Sequence, residues 1–159
     1  MLRNQARVEF NIWGAEFDPH VVTTELGIKP DHCWMKGDKV RPHIPATHRE
    51  ARWAIVTDDE EWTDVNTQVL KILDRLDIPS KMDTWEHLRT TYQLTYQFVV
   101  VLSLREDPIP GMLFSERCLQ QITQIHAEFA IYSYMQCIPE QRMRSALRAG
   151  RIHRHMRRA

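Results

Sequence analysis

Residues 94–102 constrain the fold of this chain more than any other segment. Their apolar side chains recur at every second position, which is the period of a strand with one face on a core. Pro108 and Pro110 then end the strand, because proline has no N–H to donate to a sheet. The same alternation in residues 7–13 predicts a second strand, and shorter strands are expected at 53–57 and 129–134. The chain is therefore built around a sheet.

Helical patterns separate these strands. Asp18 is a favoured N-cap, Pro19 a favoured first helical residue and Gly27 a favoured C-terminal residue. The clearest helix begins after Asp64, with apolar residues three and four positions apart through Leu76. Two further helices are predicted, one holding Met82, Trp85, Leu88 and Tyr92, and one capped by Ser115 with Leu119, Ile122 and Ile125 along its face.

The order of elements is strand–helix–strand, two helices, then strand–helix–strand. Two such units sharing one sheet predict an α+β fold, namely a ferredoxin-like βαβ-(αα)-βαβ two-layer sandwich. Its helices would cover one face of a mostly antiparallel four-stranded sheet. The 159 residues suit a single domain, predicted over residues 1–139 and followed by a basic C-terminal extension at 140–159.

The net charge of zero conceals an asymmetry. Residues 140–159 hold seven Arg and one Glu, a net charge of +6, so the other residues carry −6. A basic tail of this kind typically binds nucleic acid or an acidic surface, or it folds back on its own acidic body. The candidate residues for nucleic-acid or acidic-surface binding are Arg142, Arg144, Arg148, Arg151, Arg154, Arg157 and Arg158.

Cysteine usage and hydropathy indicate the compartment. The three cysteines (Cys33, Cys118 and Cys137) have unrelated spacings, which argues against a disulfide framework. The first residues contain no apolar run that would serve as a signal peptide, and no segment approaches the roughly 20 apolar residues of a membrane span. We expect a reduced, cytoplasmic protein that does not enter a membrane.

The connection over residues 29–52 (the 29–52 loop) is the strongest candidate for a functional segment. Loops this long without periodicity are uncommon in compact domains. This one carries Trp34 and a net charge of +3, from six Lys or Arg and three Asp or Glu. It suits an acidic partner, a phosphate group or a base. Alternatively, Trp34 packs into the core beneath the loop while Lys36 and Asp38 pair at a turn built on Gly37. The two interpretations are compatible.

Other chemistries have less support in the sequence. The loop offers possible metal ligands at His32, Cys33, His43 and His48, but Cys33 has no close cysteine partner of the kind that structural zinc sites use. No Gly-x-Ser-x-Gly elbow, phosphate-binding glycine loop or His-Glu-x-x-His helix occurs. We predict no metal, no cofactor and no catalytic residues. An enzyme built around Cys33 or the loop histidines is the third-ranked hypothesis.

Several motifs together resemble a known family. They are Phe10-x-Ile12-x-Gly14, an Asp-Pro helix start, Leu-Gly-Ile-x-Pro, Trp34-x-Lys36-Gly37-Asp38 and the lone Trp53. Over roughly residues 7–134 the chain resembles the bacterial domain of unknown function 4279 family. The resemblance implies a small, soluble bacterial α/β domain and no particular reaction. The basic tail past Pro139 departs from the family pattern.

These observations lead to a functional hypothesis. We predict a bacterial, non-enzymatic protein-binding module of the immunity or inhibitor type that uses the 29–52 loop. Its predicted partner-binding residues are Trp34, Lys36, Gly37, Asp38 and Trp53. The alternative is a nucleic-acid-associated accessory protein that uses the Arg-rich tail. Open edges of a small sheet would also permit a homodimer.

Overall fold

The computed structural model describes residues 4–61, 64–104 and 111–135. In chain order its elements are β1 (Gln5–Gly14), α1 (Pro19–Leu26), β2 (His32–Trp34), β3 (Ala51–Val56), β4 (Glu60–Glu61), α2 (Val65–Leu76), α3 (Met82–Thr91), β5 (Thr95–Leu104), α4 (Glu116–Gln124) and β6 (Glu128–Met135). A short 3₁₀ turn, Ile78–Lys81, joins α2 to α3. None of the helices in these ranges is long and apolar enough to cross a membrane.

The predicted helix boundaries are confirmed where local capping signals define them. Asp18 accepts a hydrogen bond from the His20 N–H at 2.9 Å and caps α1. Gly27 ends this helix in the left-handed conformation, with a φ of 67°. The side chains of Asp64 and Ser115 cap α2 and α4 in the same way. These helices therefore begin where short-range chemistry dictates.

The strands form one mixed sheet in the order β2-β3-β1-β5-β6. β1 lies at the centre and pairs antiparallel with β3 on one side and with β5 on the other. The short β4 pairs with the first residues of β1. β5 and β6 run parallel, with α4 in the connection between them.

The α+β class is confirmed, but the ferredoxin-like, four-stranded arrangement is not. The path through the sheet has five strands, since β2 adds to the edge of β3. β3 also lies next to β1 and antiparallel to it, whereas the predicted βαβ unit would have placed these two strands in parallel. The connection from α1 to β3 contains β2 and a long loop, which lets the chain turn round before it enters the sheet. Only the second unit, β5–α4–β6, has the parallel strands of a βαβ unit.

The core lies between the helices and one face of the sheet. Alternate residues of the strands point into it, as the period-two pattern predicts. Phe10 packs against Phe98 with ring centroids 4.8 Å apart and against the edge of Trp85 at 5.8 Å. The Tyr96 hydroxyl donates to the Trp85 carbonyl at 2.8 Å, and burial raises the pKa of that phenol.

The opposite face of the sheet carries the other set of alternate residues. The buried apolar residues of the described helices all belong to the core on the first face, so these helices do not pack on the second face, although Asn11, Val99 and Val101 at its centre are buried. We call this second surface the open face. It comprises Arg7, Glu9, Asn11 and Trp13 of β1, Trp34 of β2, Arg52 of β3, Gln97, Val99 and Val101 of β5, and Tyr132 and Tyr134 of β6.

Candidate functional site

An arginine held between two tryptophans lies on the open face. Trp34, Arg52 and Trp13 are register partners on β2, β3 and β1, so they form one row across three strands. The Arg52 guanidinium carbon lies 5.2 Å from the ring centroid of Trp13 and 4.9 Å from that of Trp34. At these distances the ring faces attract the cation. The row thus places a charged group and two large aromatic surfaces together.

Polar neighbours on β1 hold Arg52 in place. Its Nε donates to the Asn11 Oδ1 at 2.7 Å, and its Nη2 donates to the Glu9 Oε2 at 2.9 Å and also to Asn11. The other oxygen of Glu9 accepts from Arg7 Nε at 2.9 Å. Burial lowers the pKa of Arg52, an effect that the nearby Glu9 carboxylate opposes. The network fixes the guanidinium plane before any partner binds.

The open face encloses a shallow cleft of about 350 Å³. Arg52 and Trp13 line it on one side, and the exposed rings of Tyr132 and Tyr134 line it on the β6 side. Val99 lies between them on β5. Trp, Tyr and Arg are the side chains that most often dominate the energetics of protein interfaces. The composition of the cleft is therefore that of a binding surface.

The start of the 29–52 loop is fastened to this face. The Trp34 ring stacks on the His48 ring with centroids 4.1 Å apart. Gly37 has a φ of 90°, a conformation that favours glycine, in a turn closed by the Asp38 N–H donating to the Met35 carbonyl at 3.2 Å. The Asp38 carboxylate in turn accepts from the Met35 N–H at 2.8 Å. Gly37 and Asp38 thus shape the loop beside Trp34.

Further along, the loop is more ordered than its sequence indicates. Lys39 and Thr47 form an isolated antiparallel bridge, so the tip is an irregular hairpin. Apolar side chains are exposed on it at Met35, Val40 and Ile44. The loop therefore presents apolar as well as basic groups to solvent.

The structure separates the predicted partner-binding residues. Trp34 lies on the open face and not in the core beneath the loop. Lys36 pairs with Glu16, with Nζ and Oε1 2.9 Å apart, and not with Asp38 as the alternative interpretation required. Trp53 is completely buried on the helix side, where its Nε1 donates to Thr23 Oγ1 at 3.0 Å. Trp53 offers no surface to a partner, so its predicted binding role is corrected to a structural one.

The described residues include the candidate metal ligands and two of the three cysteines, but not the arginines of the C-terminal tail. Within the described ranges, no three His, Cys, Asp or Glu side chains are grouped so that they could hold a metal ion. Cys33 is exposed and Cys118 is buried, and both are free thiols. The seven arginines predicted to bind nucleic acid or an acidic surface, together with Cys137, fall outside the described residues.

Sequence reasoning missed most of the open face. Arg7, Glu9, Asn11 and Trp13 occupy alternate positions of β1, and this polar set was a usable signal for a functional strand face. Nothing in the sequence singled out Arg52, because its importance depends on pairing between three strands that are distant along the chain.

Comparison with known proteins supports the family resemblance. The model of a family described as a domain of unknown function (DUF4279) matches residues 4–136. No curated protein and no solved structure matches the chain.

Proposed function

This chain belongs to the DUF4279 family, and we propose that it is a non-enzymatic protein-binding module that uses the open face together with the 29–52 loop. One observation carries the proposal, namely the position of Arg52 between Trp13 and Trp34 on a sheet face that the described helices leave uncovered. Aromatic and arginine side chains clustered in this way are typical of the centre of a protein interface.

The rigidity of the cluster supports this function. Asn11 and Glu9 already hold the Arg52 guanidinium, and the loop turn at Gly37 holds the chain next to Trp34. A partner that packs against preorganised groups loses little of its binding free energy to ordering side chains. The same contacts in a flexible loop would give weaker binding.

Charge indicates the chemistry of the partner. The 29–52 loop carries a net charge of +3, and Lys39, Arg41 and Arg49 are exposed along it. A basic rim around an aromatic centre complements an acidic protein surface and accelerates association with it. We therefore infer an immunity-type or inhibitor-type role, in which the chain covers an acidic functional surface of another protein.

The proposed location is the bacterial cytoplasm. The free thiols of Cys33 and Cys118 are in keeping with a reducing compartment, where disulfides rarely form.

Affinity capture from a lysate of the source organism, followed by binding of the purified partner, tests the proposal. Three tagged chains are compared: the wild type, Trp34→Ala and Leu119→Ala. Leu119 is the matched control because it is an exposed apolar residue on α4, away from the open face. We expect the wild type and Leu119→Ala to retain one protein that Trp34→Ala loses. Calorimetry with that purified protein should give a dissociation constant at least about tenfold weaker for Trp34→Ala.

Two results would contradict this function. One is equal retention of the same protein by Trp34→Ala and the wild type, with all variants shown to be folded by circular dichroism. The other is turnover of a small molecule in the cleft that the Trp34→Ala substitution abolishes, which would make the chain an enzyme.

A nucleic-acid-associated role is the second candidate, and the seven Arg and one Glu of residues 140–159 favour it. The same capture experiment distinguishes it through a chain truncated after Pro139 and a nuclease-treated lysate. Nucleic acid bound through the tail would be lost on truncation and would weaken steeply with salt, because each neutralised phosphate releases counterions.

A further inference from the structure

Among the strands that the structure describes, none protects the outer edge of β6. β6 pairs with β5 along its whole length, and none of the strands in residues 4–61, 64–104 and 111–135 pairs with its other side. Four of its large apolar side chains are exposed, namely Ile131 (44%), Tyr132 (50%), Tyr134 (59%) and Met135 (77%). Residues 129–135 include no charged residue and no proline. Proteins normally protect a free strand edge with charged residues or proline, by keeping the edge strand short, or by covering it with another element.

The opposite edge of the sheet has that protection. β2 is only three residues long, so it offers few free backbone groups to another chain. Asp31, immediately before β2, accepts hydrogen bonds from Arg75, and Lys36 follows shortly after it. The contrast assigns the unprotected pairing surface of the described sheet to β6.

We propose that β6 pairs antiparallel with β6 of a second copy of this chain, about a two-fold axis perpendicular to the sheet. The arrangement of its side chains is self-complementary. In the register centred on Ser133, Ile131 lies opposite the partner subunit's Met135, and Tyr132 lies opposite the partner subunit's Tyr134. Each of the four exposed apolar side chains then faces another of the four.

The alternation of β6 sorts these contacts onto two faces. Tyr132 and Tyr134 lie on the open face, while Ile131 and Met135 lie on the helix side. A perpendicular two-fold axis keeps each face continuous across the junction, so the pairing creates an aromatic cluster on one side and an aliphatic cluster on the other. Directly opposite aromatic pairs are among the stabilising contacts of antiparallel strands. Because residues 129–135 carry no charge, the register places no like charges opposite one another.

The size of this contact fits a reversible dimer. Covering the exposed parts of four large side chains and the strand backbone on each copy removes on the order of 1,000 Å² of surface in total, the lower end of specific interfaces. An interface of this size predicts a monomer–dimer equilibrium that depends on concentration. The inference does not rest on the proposed function, because it is argued from the free edge of β6, but the two proposals share Tyr132 and Tyr134, which also line the cleft on the open face.

Sedimentation velocity of the full-length chain over a wide concentration range tests the proposal. We expect the wild type to form a dimer and Ile131→Lys to weaken dimerisation at least about tenfold, because a lysine then faces the partner's apolar side chains. Leu119→Lys is the matched control, since it puts the same charge on another exposed apolar position, and it should leave the equilibrium unchanged.

The register has its own test. In a Cys33→Ser/Cys137→Ser background, Ser133→Cys lies opposite the same residue of the second copy and should form a disulfide-linked dimer on mild oxidation, whereas Ala130→Cys should not.

Three results would overturn the proposal. They are a wild type that stays monomeric at the highest concentration, a dimer that Ile131→Lys leaves intact, and a monomer that dimerises only after truncation at Pro139. The last result would identify the C-terminal segment as the group that covers β6.

Discussion

Asn11 is a buried amide on the open face, and its single side-chain oxygen accepts two hydrogen bonds from the Arg52 guanidinium. Only 13% of the Arg52 side chain is exposed, so water cannot readily replace this acceptor. We therefore expect Asn11→Leu, which has a similar size, to lower the free energy of unfolding by about 2–3 kcal/mol. Urea denaturation measures the loss.

Gln97 provides the control for that substitution, because it lies opposite Asn11 on β5 and, among the described residues, its side chain makes only one long hydrogen bond, 3.3 Å to Glu128. Gln97→Leu should change the free energy of unfolding by no more than about 0.5 kcal/mol. Equal losses for the two variants would show that Asn11 does not support Arg52.

Gly14 ends β1 at a point where no side chain fits. A Cβ atom at this position would lie 2.7 Å from Phe17 Cδ1 and 2.8 Å from Leu94 Cδ2, well inside contact distance. Gly14→Ala should therefore cost about 1–3 kcal/mol of unfolding free energy through overpacking. A Cβ at Gly111 meets no atom of the described residues within 4 Å, so Gly111→Ala should cost almost nothing. Thermal unfolding of the two variants side by side decides the point, and similar midpoints would exclude a steric role for Gly14.

At the scale of elements, α1 is joined to β3 by one polar contact within the core. Thr23 on α1 accepts the hydrogen bond of the buried Trp53 indole. Thr23→Val keeps the shape of the side chain but leaves that N–H without its partner, at a cost of about 1–3 kcal/mol. On the same helix, Thr24 is exposed and donates only to the His20 carbonyl, so Thr24→Val should be close to neutral. Chemical denaturation measures both losses. A larger loss of unfolding free energy for Thr24→Val than for Thr23→Val would show that the Thr23–Trp53 hydrogen bond does not stabilise the fold.

The segment between α1 and β2 is tied to α2 by an ion pair that responds to pH. Burial raises the pKa of Asp31, but hydrogen bonds from Arg75 and from the Val56 N–H outweigh that effect and hold the pKa below its ordinary value. A carboxyl group with a depressed pKa stabilises the fold above its unfolded pKa of about 3.9, and this contribution is lost as the pH falls through the folded value.

Asp31→Asn tests that linkage. The side chains of Asp31 and Arg75 are both more than one-third exposed. We therefore expect the substitution to lower the free energy of unfolding by only about 0.5–1 kcal/mol at pH 7. The difference from the wild type should shrink below about pH 4 as Asp31 takes up its proton. Denaturation curves at several pH values measure it, and a difference that stays constant into acid would rule out the charge as its source.

Helices and strands that are marked by capping residues or by a periodic pattern could be predicted from the sequence. Elements that lack such a mark could not. The boundaries of α1 follow from Asp18, Pro19 and Gly27, whose preferences act over a few residues. β2 has three residues and no alternation, so it could not be recognised before its pairing with β3 was known. Arg52 was overlooked for the same reason, since its tryptophan neighbours come from two other strands.

For the whole molecule, the sheet order was the main feature that could not be predicted. The patterns of β1 and β5 indicate strands, but they do not state which strand lies beside which. The antiparallel arrangement of β1 and β3 depends on how the long connection between them folds, and that connection lacks a periodic pattern. The half of the prediction that relied on a short crossover, β5–α4–β6, is the half with the expected parallel strands.

The basic loop should affect how fast the whole molecule meets its proposed partner more than how long the complex lasts. Lys39→Glu combined with Arg41→Glu should slow association by about tenfold or more at low salt and leave the dissociation rate nearly unchanged. Lys71→Glu combined with Arg117→Glu, on α2 and α4 away from the loop, is the charge-matched control. Surface plasmon resonance at two salt concentrations separates the rates. An effect on dissociation alone would place these side chains inside the contact and not at its rim.

The central position of β1 also matters while the protein is being made. β1 leaves the ribosome before the other described strands, yet one of its neighbours, β5, lies about 90 residues later, with Arg7 opposite Val101. At ordinary translation rates of about 5–20 residues per second, this strand waits roughly 5–20 s for that neighbour. During this interval its backbone and its apolar side chains are open to wrong partners. The nascent chain is therefore most vulnerable to aggregation at its first strand, and molecular chaperones have most to protect there.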